Sequence, residues 1–242
     1  AELELAADIQ VSALPSIFPA FPTRNEFDLY ATMDPAKEVG GDFYDFFLID
    51  EDHICLIIAD VSGKGIPASL FMMTSKTTFA NVAIHETSPA KILTLANEAI
   101  CANNKMDMFV TVWLGVLEIS TGKLTAASAG HEYPFIKKIG QFNVFENKHG
   151  MAVGVMDDIK YKEYSIDLTP GDYVFVYTDG VAEAKNSNKE LFGLERIQIA
   201  LNKNKSGDCK NIINTVSKSI DEFVDGAEQF DDITMLCIRY NG

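Results

Sequence analysis

Apolar residues in this chain fall mostly into short runs, separated by polar turns that contain glycine or proline. Runs rich in Val, Ile, Phe and Tyr are typical of β-strands, because branched and aromatic side chains pack well on a pleated surface. We predict strands in FDLYATMD, DFYDFFLID, HICLIIAD, MFVTVWLGVLEIS, KLTAASAG, PFIKKI, QFNVFE, YKEYSIDL, DYVFVYTD and ITMLCIRY. Between two of them, the dipeptide Thr121-Gly122 predicts a hairpin turn.

Apolar residues at spacings of three and four predict amphipathic helices in the remaining segments. One helix follows Ser88, a suitable N-cap, and Pro89, a suitable first helical residue. Its apolar stripe consists of Ile92, Leu95, Ala96, Ala99 and Ile100. Four more helices are predicted over residues 2–14, 67–85, 191–202 and 209–224.

The order of these elements predicts an α+β fold. Strands are followed by two helices, then many strands, two helices and a final strand. Helices in adjacent pairs argue against a doubly wound parallel sheet, and short hairpin links favour antiparallel sheets. Two packed sheets, each covered by a helical pair, fit the pattern. Without repeats or an interdomain linker, we expect a single domain over residues 16–242, preceded by a linker or regulatory helix over residues 1–15.

The N-terminal helix has Leu3, Ala6, Ile9 and Ala13 on one face, and Pro15 ends it. It begins without a capping residue, and the chain has no initiator Met. We therefore expect the helix to continue upstream, as a linker from a sensor domain or as a homodimer contact. A terminal helix that packs on its own domain is the alternative.

The net charge of −15 limits the partners that this chain can bind. A phosphate-backbone binder needs a basic face, so the charge argues against nucleic acid and against an anionic membrane surface. The longest apolar candidate, residues 108–120, is shorter than the ~20 residues that span a membrane. An acidic N-terminus is unlike a signal peptide, so we expect no membrane insertion and a cytoplasmic location.

The cysteines are far apart in the sequence and form no CxxC pair, which argues against a zinc site. They are Cys55, Cys101, Cys209 and Cys237. We expect them to be reduced and mostly buried thiols, as is typical of a cytosolic protein.

Four aspartates stand where an apolar run breaks into a turn: Asp42, Asp60, Asp179 and Asp231. Clustered carboxylates repel one another and are costly to desolvate, so such a cluster is typical of a bound cation. All-oxygen ligation suits Mg²⁺ and Mn²⁺. Each aspartate alone is explained as a turn former. The four together favour a metal-assisted hydrolase over a binding module.

Asp60 is the strongest candidate ligand, because it joins the apolar strand CLIIA to the tight turn SGKG. Its carboxylate and the Val61 carbonyl could together contact two ions. Asp45 lies three residues beyond Asp42, on the opposite side of a strand, and is a weaker candidate. In the pair Asp231-Asp232, alternation allows at most one side chain to point into a given site, and a solvated acidic turn is the alternative.

Six motifs occur in an order that resembles the metal-dependent protein phosphatases, specifically the bacterial SpoIIE/RsbU-like branch of the protein phosphatase 2C (PP2C) fold. They are VGGDFYD, ADVSGKG, FVT, AGH, YTDGV and FDDIT, and the segments FGLER and AADIQVSALP also match. The resemblance covers about residues 6–239. It implies a four-layer αββα sandwich with a centre of two Mn²⁺ or Mg²⁺ ions at one edge of the sheets.

The same resemblance implies roles for individual residues. Asp60 would bridge the two ions, with the Val61 carbonyl on one of them, and Asp179 and Asp231 would complete the other. Asp42 would hold a metal-bound water or an ion. Members of this branch remove phosphate from phosphoserine or phosphothreonine on small anti-anti-sigma (STAS-type) proteins. A hydroxide formed on the ions would attack phosphorus directly, because two cations lower the pKa of water from ~15.7 to around 7.

Two departures from the animal-type members leave roles open. Those members carry a His, a proposed general acid, at the position of Ser62. The proton donor here is therefore His131, Lys64 or a metal-bound water, and His131 could instead only order its loop. Animal-type members also bind phosphate through an Arg near the N-terminus, for which Arg24 and Lys37 are the candidates.

Two further hypotheses concern function and regulation. The competing functions are a phosphatase fold that binds a partner without turnover and a different metal-dependent phosphoesterase. Residues 70–73, Leu-Phe-Met-Met, make the start of the helix after SGKG unusually apolar. They form either a surface through which a partner shifts Asp60 or an ordinary part of the core.

Overall fold

Two five-stranded antiparallel sheets form the centre of the protein in a computed structural model that describes residues 2–203 and 207–242. The strands are β1 Phe27–Asp34, β2 Phe43–Leu48, β3 His53–Val61, β4 Val110–Glu118, β5 Lys123–Ala129, β6 Phe135–Lys138, β7 Gln141–Val144, β8 Glu163–Asp167, β9 Tyr173–Tyr177 and β10 Ile233–Tyr240. The helices are α1 Glu2–Ala13, α2 Ile66–Ala83, α3 Pro89–Cys101, α4 Asp179–Glu183, α5 Gly193–Lys203 and α6 Cys209–Val224.

The first sheet has the strand order β2-β3-β4-β5-β8, and the second has the order β1-β10-β9-β6-β7. Side chains of both sheets share one apolar core, which contains Leu56 and Ile58 of β3 together with Val176 of β9 and Leu236 of β10. The two sheets therefore pack face to face, with the alternate side chains of each strand turned into the shared core.

Each sheet is covered on its outer face by a pair of helices. Helices α2 and α3 pack on the first sheet, and α5 and α6 pack on the second. Helix α6 buries Ile212, Ile213, Val216 and Ile220, and its N-cap Asp208 accepts a hydrogen bond from the next turn. The predicted α+β fold, a four-layer αββα sandwich of two antiparallel sheets flanked by helical pairs, is confirmed.

The short helix α4 was missed by the sequence analysis. We treated Asp179-Gly180 as the end of a strand, whereas Asp179 begins a helix that follows Thr178 in the N-cap position. A helix of this length has no room for a periodic apolar stripe, so the pattern of the sequence could not reveal it.

The apolar face predicted for α1 does not pack into the core. Leu3 and Ile9 are 42% and 55% exposed, and Gln10 is the buried residue of this helix. The Gln10 amide pairs with the backbone of Gly40, donating to its carbonyl at 2.7 Å and accepting from its N–H at 2.9 Å. Two hydrogen bonds beside the VGGD motif therefore join helix α1 to the rest of the domain.

The apolar cluster 70–73 at the start of α2 is divided between solvent and core. Leu70 is 64% exposed, Phe71 and Met73 are half-buried, and Met72 is fully buried. Helical geometry explains this division, because successive residues turn about 100° around the helix axis. No helix within the described ranges is long and apolar enough to cross a membrane.

This division gives a direct test of the packing of α2. We expect Met72→Ala to lower the free energy of unfolding by about 2–5 kcal/mol, because it leaves a cavity between α2 and the sheet. Leu70→Ala, two residues away on the exposed side, should cost less than about 0.5 kcal/mol. Denaturant unfolding of the two variants would measure both, and equal losses would contradict the assigned orientation of α2.

Candidate metal centre

Carboxylates from both sheets converge at one end of the sandwich. In the first sheet, Phe43 of β2 pairs with Ala59 of β3, so Asp42 lies beside Asp60. In the second sheet, Asp179 follows β9 and Asp231 precedes β10, and these strands are neighbours. The strand pairing thus places two of the four predicted aspartates on each side of the interface between the sheets.

Asp42 connects the two sheets through hydroxyl groups. Its side chain is buried, and its Oδ2 accepts hydrogen bonds from Thr178 Oγ1 and Thr234 Oγ1, each at 2.6 Å. Thr178 directly precedes Asp179, and Thr178 Oγ1 also accepts from the backbone N–H of Thr234. This network fixes Asp42 relative to Asp179 from the opposite sheet.

The carboxyl groups raise the pKa values of one another. Burial and the neighbouring Asp179 raise the pKa of Asp60 to about 7, although a hydrogen bond with Asp42 opposes this rise. Burial and the charge of Asp231 raise the pKa of Asp179 to about 6. Burial and the charge of Asp60 raise the pKa of Asp42 well above its usual value. These shifts follow from placing like charges close together and away from water.

The side chains of the adjacent residues Asp231 and Asp232 point into different surroundings, as strand alternation requires. Asp231 Oδ2 contacts the Lys64 ammonium at 2.8 Å, next to the other carboxylates. Asp232 is buried and instead accepts hydrogen bonds from the backbone N–H groups of Gly41 at 2.7 Å and Ala36 at 2.9 Å. Asp232 therefore organises the loop before β2, a role that the sequence analysis did not assign.

Glycines allow backbone segments to approach closely around the site. A Cβ on Gly41 would lie 3.0 Å from the Val61 carbonyl oxygen, the predicted backbone ligand. A Cβ on Gly40 would collide with the Asp232 carboxylate, and a Cβ on Gly180 would collide with the Asp232 backbone. The glycines in VGGD and TDG are thus required by packing around the carboxylates.

The donor set of this site fits divalent cations that prefer oxygen. It consists of carboxylates and one backbone carbonyl, which suit Mg²⁺ and Mn²⁺. Positive charge would also relieve the repulsion that raises the carboxyl pKa values. Within residues 2–203 and 207–242, no group of three or more His, Cys, Asp or Glu side chains lies in positions that could hold a metal ion without rearrangement. Ligation would therefore require the carboxylates to draw together around the ions.

Of the two predicted lysines, Lys64 contacts a carboxylate of the site and Lys37 lies in the loop between β1 and β2. Lys64 contacts the Asp231 carboxylate and the Phe230 carbonyl, and its ammonium lies 3.9 Å from the centre of the Phe230 ring. Lys37 is exposed on the loop before VGGD. The Lys64 ammonium therefore lies at the site itself, whereas Lys37 is placed only in the loop that leads to Asp42.

Arg24 and Asp45 lie away from the candidate site. Arg24 donates a hydrogen bond to the Glu51 carbonyl in the β2–β3 turn, roughly 20 Å along the strand from Asp42, so it is a wrong candidate for phosphate binding. Asp45 forms a buried ion pair with Lys76 of α2 at 2.7 Å. As alternation predicted, Asp45 faces away from Asp42.

His131 is buried and contacts Thr111, the cross-strand partner of Asp60. Its Nδ1 lies 3.0 Å from Thr111 Oγ1, and burial lowers the pKa of the ring to about 4. The imidazole is therefore neutral at pH 7. This geometry favours the structural alternative for His131 over proton donation to a substrate.

Comparisons with known proteins agree with this geometry. The family model for stage II sporulation protein E (SpoIIE) matches residues 50–241. Protein IcfG of Synechocystis is 32% identical over 99% of this chain, and phosphoserine phosphatase RsbU of Bacillus subtilis is 31% identical over 98%. The chain spans 42% of the length of IcfG and 70% of that of RsbU.

Solved structures show the same fold. The SiaA-PP2C domain of Pseudomonas aeruginosa superposes with a TM-score of 0.87 at 22% identity, covering 99% of this chain and 96% of that domain. The catalytic domain of the serine/threonine phosphatase PstP, solved with two manganese ions, has a TM-score of 0.63 at 14% identity, covering 89% of this chain and 99% of that one. The chain therefore has the PP2C fold and belongs to the SpoIIE family.

Proposed function

We propose that this chain is a metal-dependent serine/threonine protein phosphatase. The observation that carries the proposal is the convergence of Asp42, Asp60, Asp179 and Asp231 from two sheets, which raises the pKa values of the first three. The match to the SpoIIE family and the 31% identity with the phosphoserine phosphatase RsbU support the same activity.

Two Mn²⁺ or Mg²⁺ ions would be held by Asp60, Asp179, Asp231 and the Val61 carbonyl. Bound there, they would supply the positive charge that activates water and neutralises phosphoryl oxygens. Asp42 is already oriented by two threonine hydroxyls and can hold a proton or a water molecule beside Asp60.

The lysines near the site are suited to an anionic substrate. Lys37 is exposed beside VGGD, which suits it to contact the phosphate or acidic residues around it. Of the two side chains considered as proton donors, His131 is buried and neutral. Lys64 is therefore the side chain that can donate a proton at the surface of the site. Its contact with Asp231 also allows Lys64 to position that carboxylate.

The proposed substrate is phosphoserine or phosphothreonine on a small STAS-type regulator protein. The name of RsbU as a phosphoserine phosphatase supports the reaction class. An upstream sensor domain or a second copy of the chain, acting through α1, is the proposed regulatory partner. The exposed Leu3 and Ile9 on α1 support an interaction of this helix beyond its own domain.

Metal dependence is the first test of this proposal. Hydrolysis of a phosphoserine peptide should be lost after chelation and dialysis and should return on addition of Mn²⁺ or Mg²⁺, because the ions activate the attacking water. Phosphate release would be measured before and after metal is restored. Undiminished activity in the thoroughly chelated protein would contradict the mechanism.

Asp60→Asn and Asp179→Asn should abolish turnover while the protein remains folded, because each replaces a charged ligand by a neutral group of the same size. In the metal-free protein, Asp60→Asn should raise the free energy of unfolding by roughly 1–3 kcal/mol at pH 8, since it relieves carboxylate repulsion. Thermal unfolding would measure this gain. Wild-type kcat at saturating Mn²⁺ in either variant would show that the ligand assignment is wrong.

The pH dependence of this gain has a defined sign. The folded pKa of Asp60, about 7, lies above its ordinary value of 3.8, so the folded metal-free protein binds more protons than the unfolded chain between these values. Its stability therefore falls as the pH rises from about 4 to 7. The stabilising effect of Asp60→Asn should be small at pH 4 and largest above pH 7, and an effect independent of pH would contradict the assigned repulsion.

Substrate class separates the proposal from its two alternatives. We expect Mn²⁺-dependent phosphate release from a phosphorylated STAS-type protein and none from a cyclic dinucleotide, assayed side by side. Hydrolysis of the dinucleotide alone would favour a phosphodiesterase. Tight binding of the phosphoprotein without release of phosphate would favour a non-catalytic binding module.

A further inference from the structure

Two buried threonines of the second sheet hold the side chain of Asp42 by direct hydrogen bonds. Thr178 directly follows β9, Thr234 lies at the start of β10, and both are fully buried. Each hydroxyl oxygen lies 2.6 Å from the same atom, Oδ2 of Asp42, which precedes β2 of the first sheet. The contact between the sheets at this point is therefore made by one carboxylate oxygen and two hydroxyls.

The two threonines are also joined to each other. The Thr178 N–H donates a hydrogen bond to the Thr234 carbonyl at 3.0 Å, and Thr178 Oγ1 accepts one from the Thr234 N–H at 3.1 Å. Because this N–H supplies its own proton, the single hydroxyl proton of Thr178 stays available for Asp42. The backbone of the second sheet thus fixes both hydroxyls in the direction of Oδ2.

These two hydrogen bonds use the acceptor capacity of Oδ2. A carboxylate oxygen has about two lone-pair sites, and the two hydroxyls occupy both of them. A cation on Oδ2 would have to displace a hydroxyl that is fully buried and would then lack its acceptor. The other oxygen, Oδ1, is the atom of Asp42 that remains for an ion or a water molecule.

The backbone near Asp42 is held by other groups. The Gly41 N–H donates to Asp232 Oδ2 at 2.7 Å, and the Gln10 amide binds both backbone groups of Gly40. Loss of one threonine hydroxyl would therefore release the carboxyl group of Asp42 while the loop before it stays anchored. The hydroxyls act on the orientation of the side chain, and this separates their role from that of the loop contacts.

We propose that Thr178 and Thr234 are positioning residues that hold Oδ2 of Asp42 and leave Oδ1 as the single Asp42 oxygen offered to the candidate metal centre. Asp42 then contributes through one oxygen and does not chelate an ion with both. The threonines supply no ligand and act only through Asp42. This inference rests on the proposed function, because it gives a purpose to the orientation of Asp42 at that centre.

The test compares variants of Thr234 by their affinity for Mn²⁺, measured by calorimetry on the purified chain. Thr234 is chosen because Thr178 Oγ1 also accepts a backbone hydrogen bond, which its removal would break. Thr234→Val removes the hydroxyl with little change of shape, and we expect Mn²⁺ affinity to fall by about tenfold or more, as for other groups that orient metal ligands indirectly. Thr234→Ser keeps the hydroxyl and should retain most of the affinity; an equal loss in this variant would overturn the proposal.

Thr169→Val is the matched control, because the Thr169 hydroxyl also donates to Oδ2 of a buried aspartate, Asp172, at 2.9 Å. Asp172 precedes β9, at the opposite end of this strand from Asp179. The control removes the same kind of hydrogen bond away from the candidate site and should leave Mn²⁺ affinity unchanged. A loss of affinity equal to that in Thr234→Val would overturn the proposal, since general destabilisation would then explain both.

A second measurement uses the wild-type chain and serves if Thr234→Val fails to fold. In crystals grown with Mn²⁺, we expect Oδ2 of Asp42 to keep both threonine hydroxyls and only Oδ1 to face an ion or its bound water. Manganese in contact with Oδ2, alone or together with Oδ1, would overturn the proposal.

The outcome for the wild type distinguishes this inference from the proposed function. If the wild-type chain binds no Mn²⁺ and releases no phosphate, the proposed function fails and the inference fails with it. If the wild type binds Mn²⁺ and Thr234→Val binds it equally well, the proposed function stands and the positioning role of the threonines is wrong.

Discussion

Repulsion among carboxylates that are held close together and away from water is the constraint on which this structure depends. Asp42, Asp60 and Asp179 each have a raised pKa because burial and neighbouring carboxyl groups disfavour the charged form. Such an arrangement opposes folding unless it is stabilised elsewhere. Hydroxyl groups of Thr178 and Thr234 satisfy Asp42. A bound cation would attract these carboxylates and so offset their mutual repulsion.

The surrounding sandwich maintains this arrangement through rigid interior strands. The candidate ligands lie at the ends of β3, β9 and β10, each of which has a hydrogen-bonded neighbour on both sides. A shared apolar core joins the two sheets behind the site. Asp232 and the glycines of VGGD then shape the loop that places Asp42. The fold thus holds near one another charges that would separate if the chain were free to relax.

The sequence predicted the features that depend on local patterns. The strand FDLYATMD and the helix at Cys209–Val224 form within the predicted bounds, because period-two and helical spacing directly reflect one buried face. Alternation likewise predicted that Asp231 and Asp232 would face different surroundings. The motif order predicted which aspartates would converge, and the structure brings all four to one end of the sandwich.

The features that sequence reasoning missed depend on contacts between distant parts of the chain. The hydrogen bonds of Asp42 with Thr178 and Thr234 join segments far apart in sequence, and no local pattern encodes them. The contact of Gln10 could not be predicted, because its hydrogen-bond partner is the backbone of Gly40 and every residue has the same backbone groups. Arg24 was a candidate because it lies near the N-terminus. Its hydrogen-bond partner, Glu51, lies in the β2–β3 turn, at the opposite end of β2 from Asp42.

The most direct test of the central claim is anomalous X-ray diffraction at the manganese edge from crystals of this chain grown with Mn²⁺. The account predicts two neighbouring manganese peaks between the sheets. Asp60 would contact both ions, Asp179 and Asp231 would contact one, and the Val61 carbonyl would contact the other. Manganese bound only elsewhere on the protein, with the four carboxylates still in contact with protein groups alone, would contradict it.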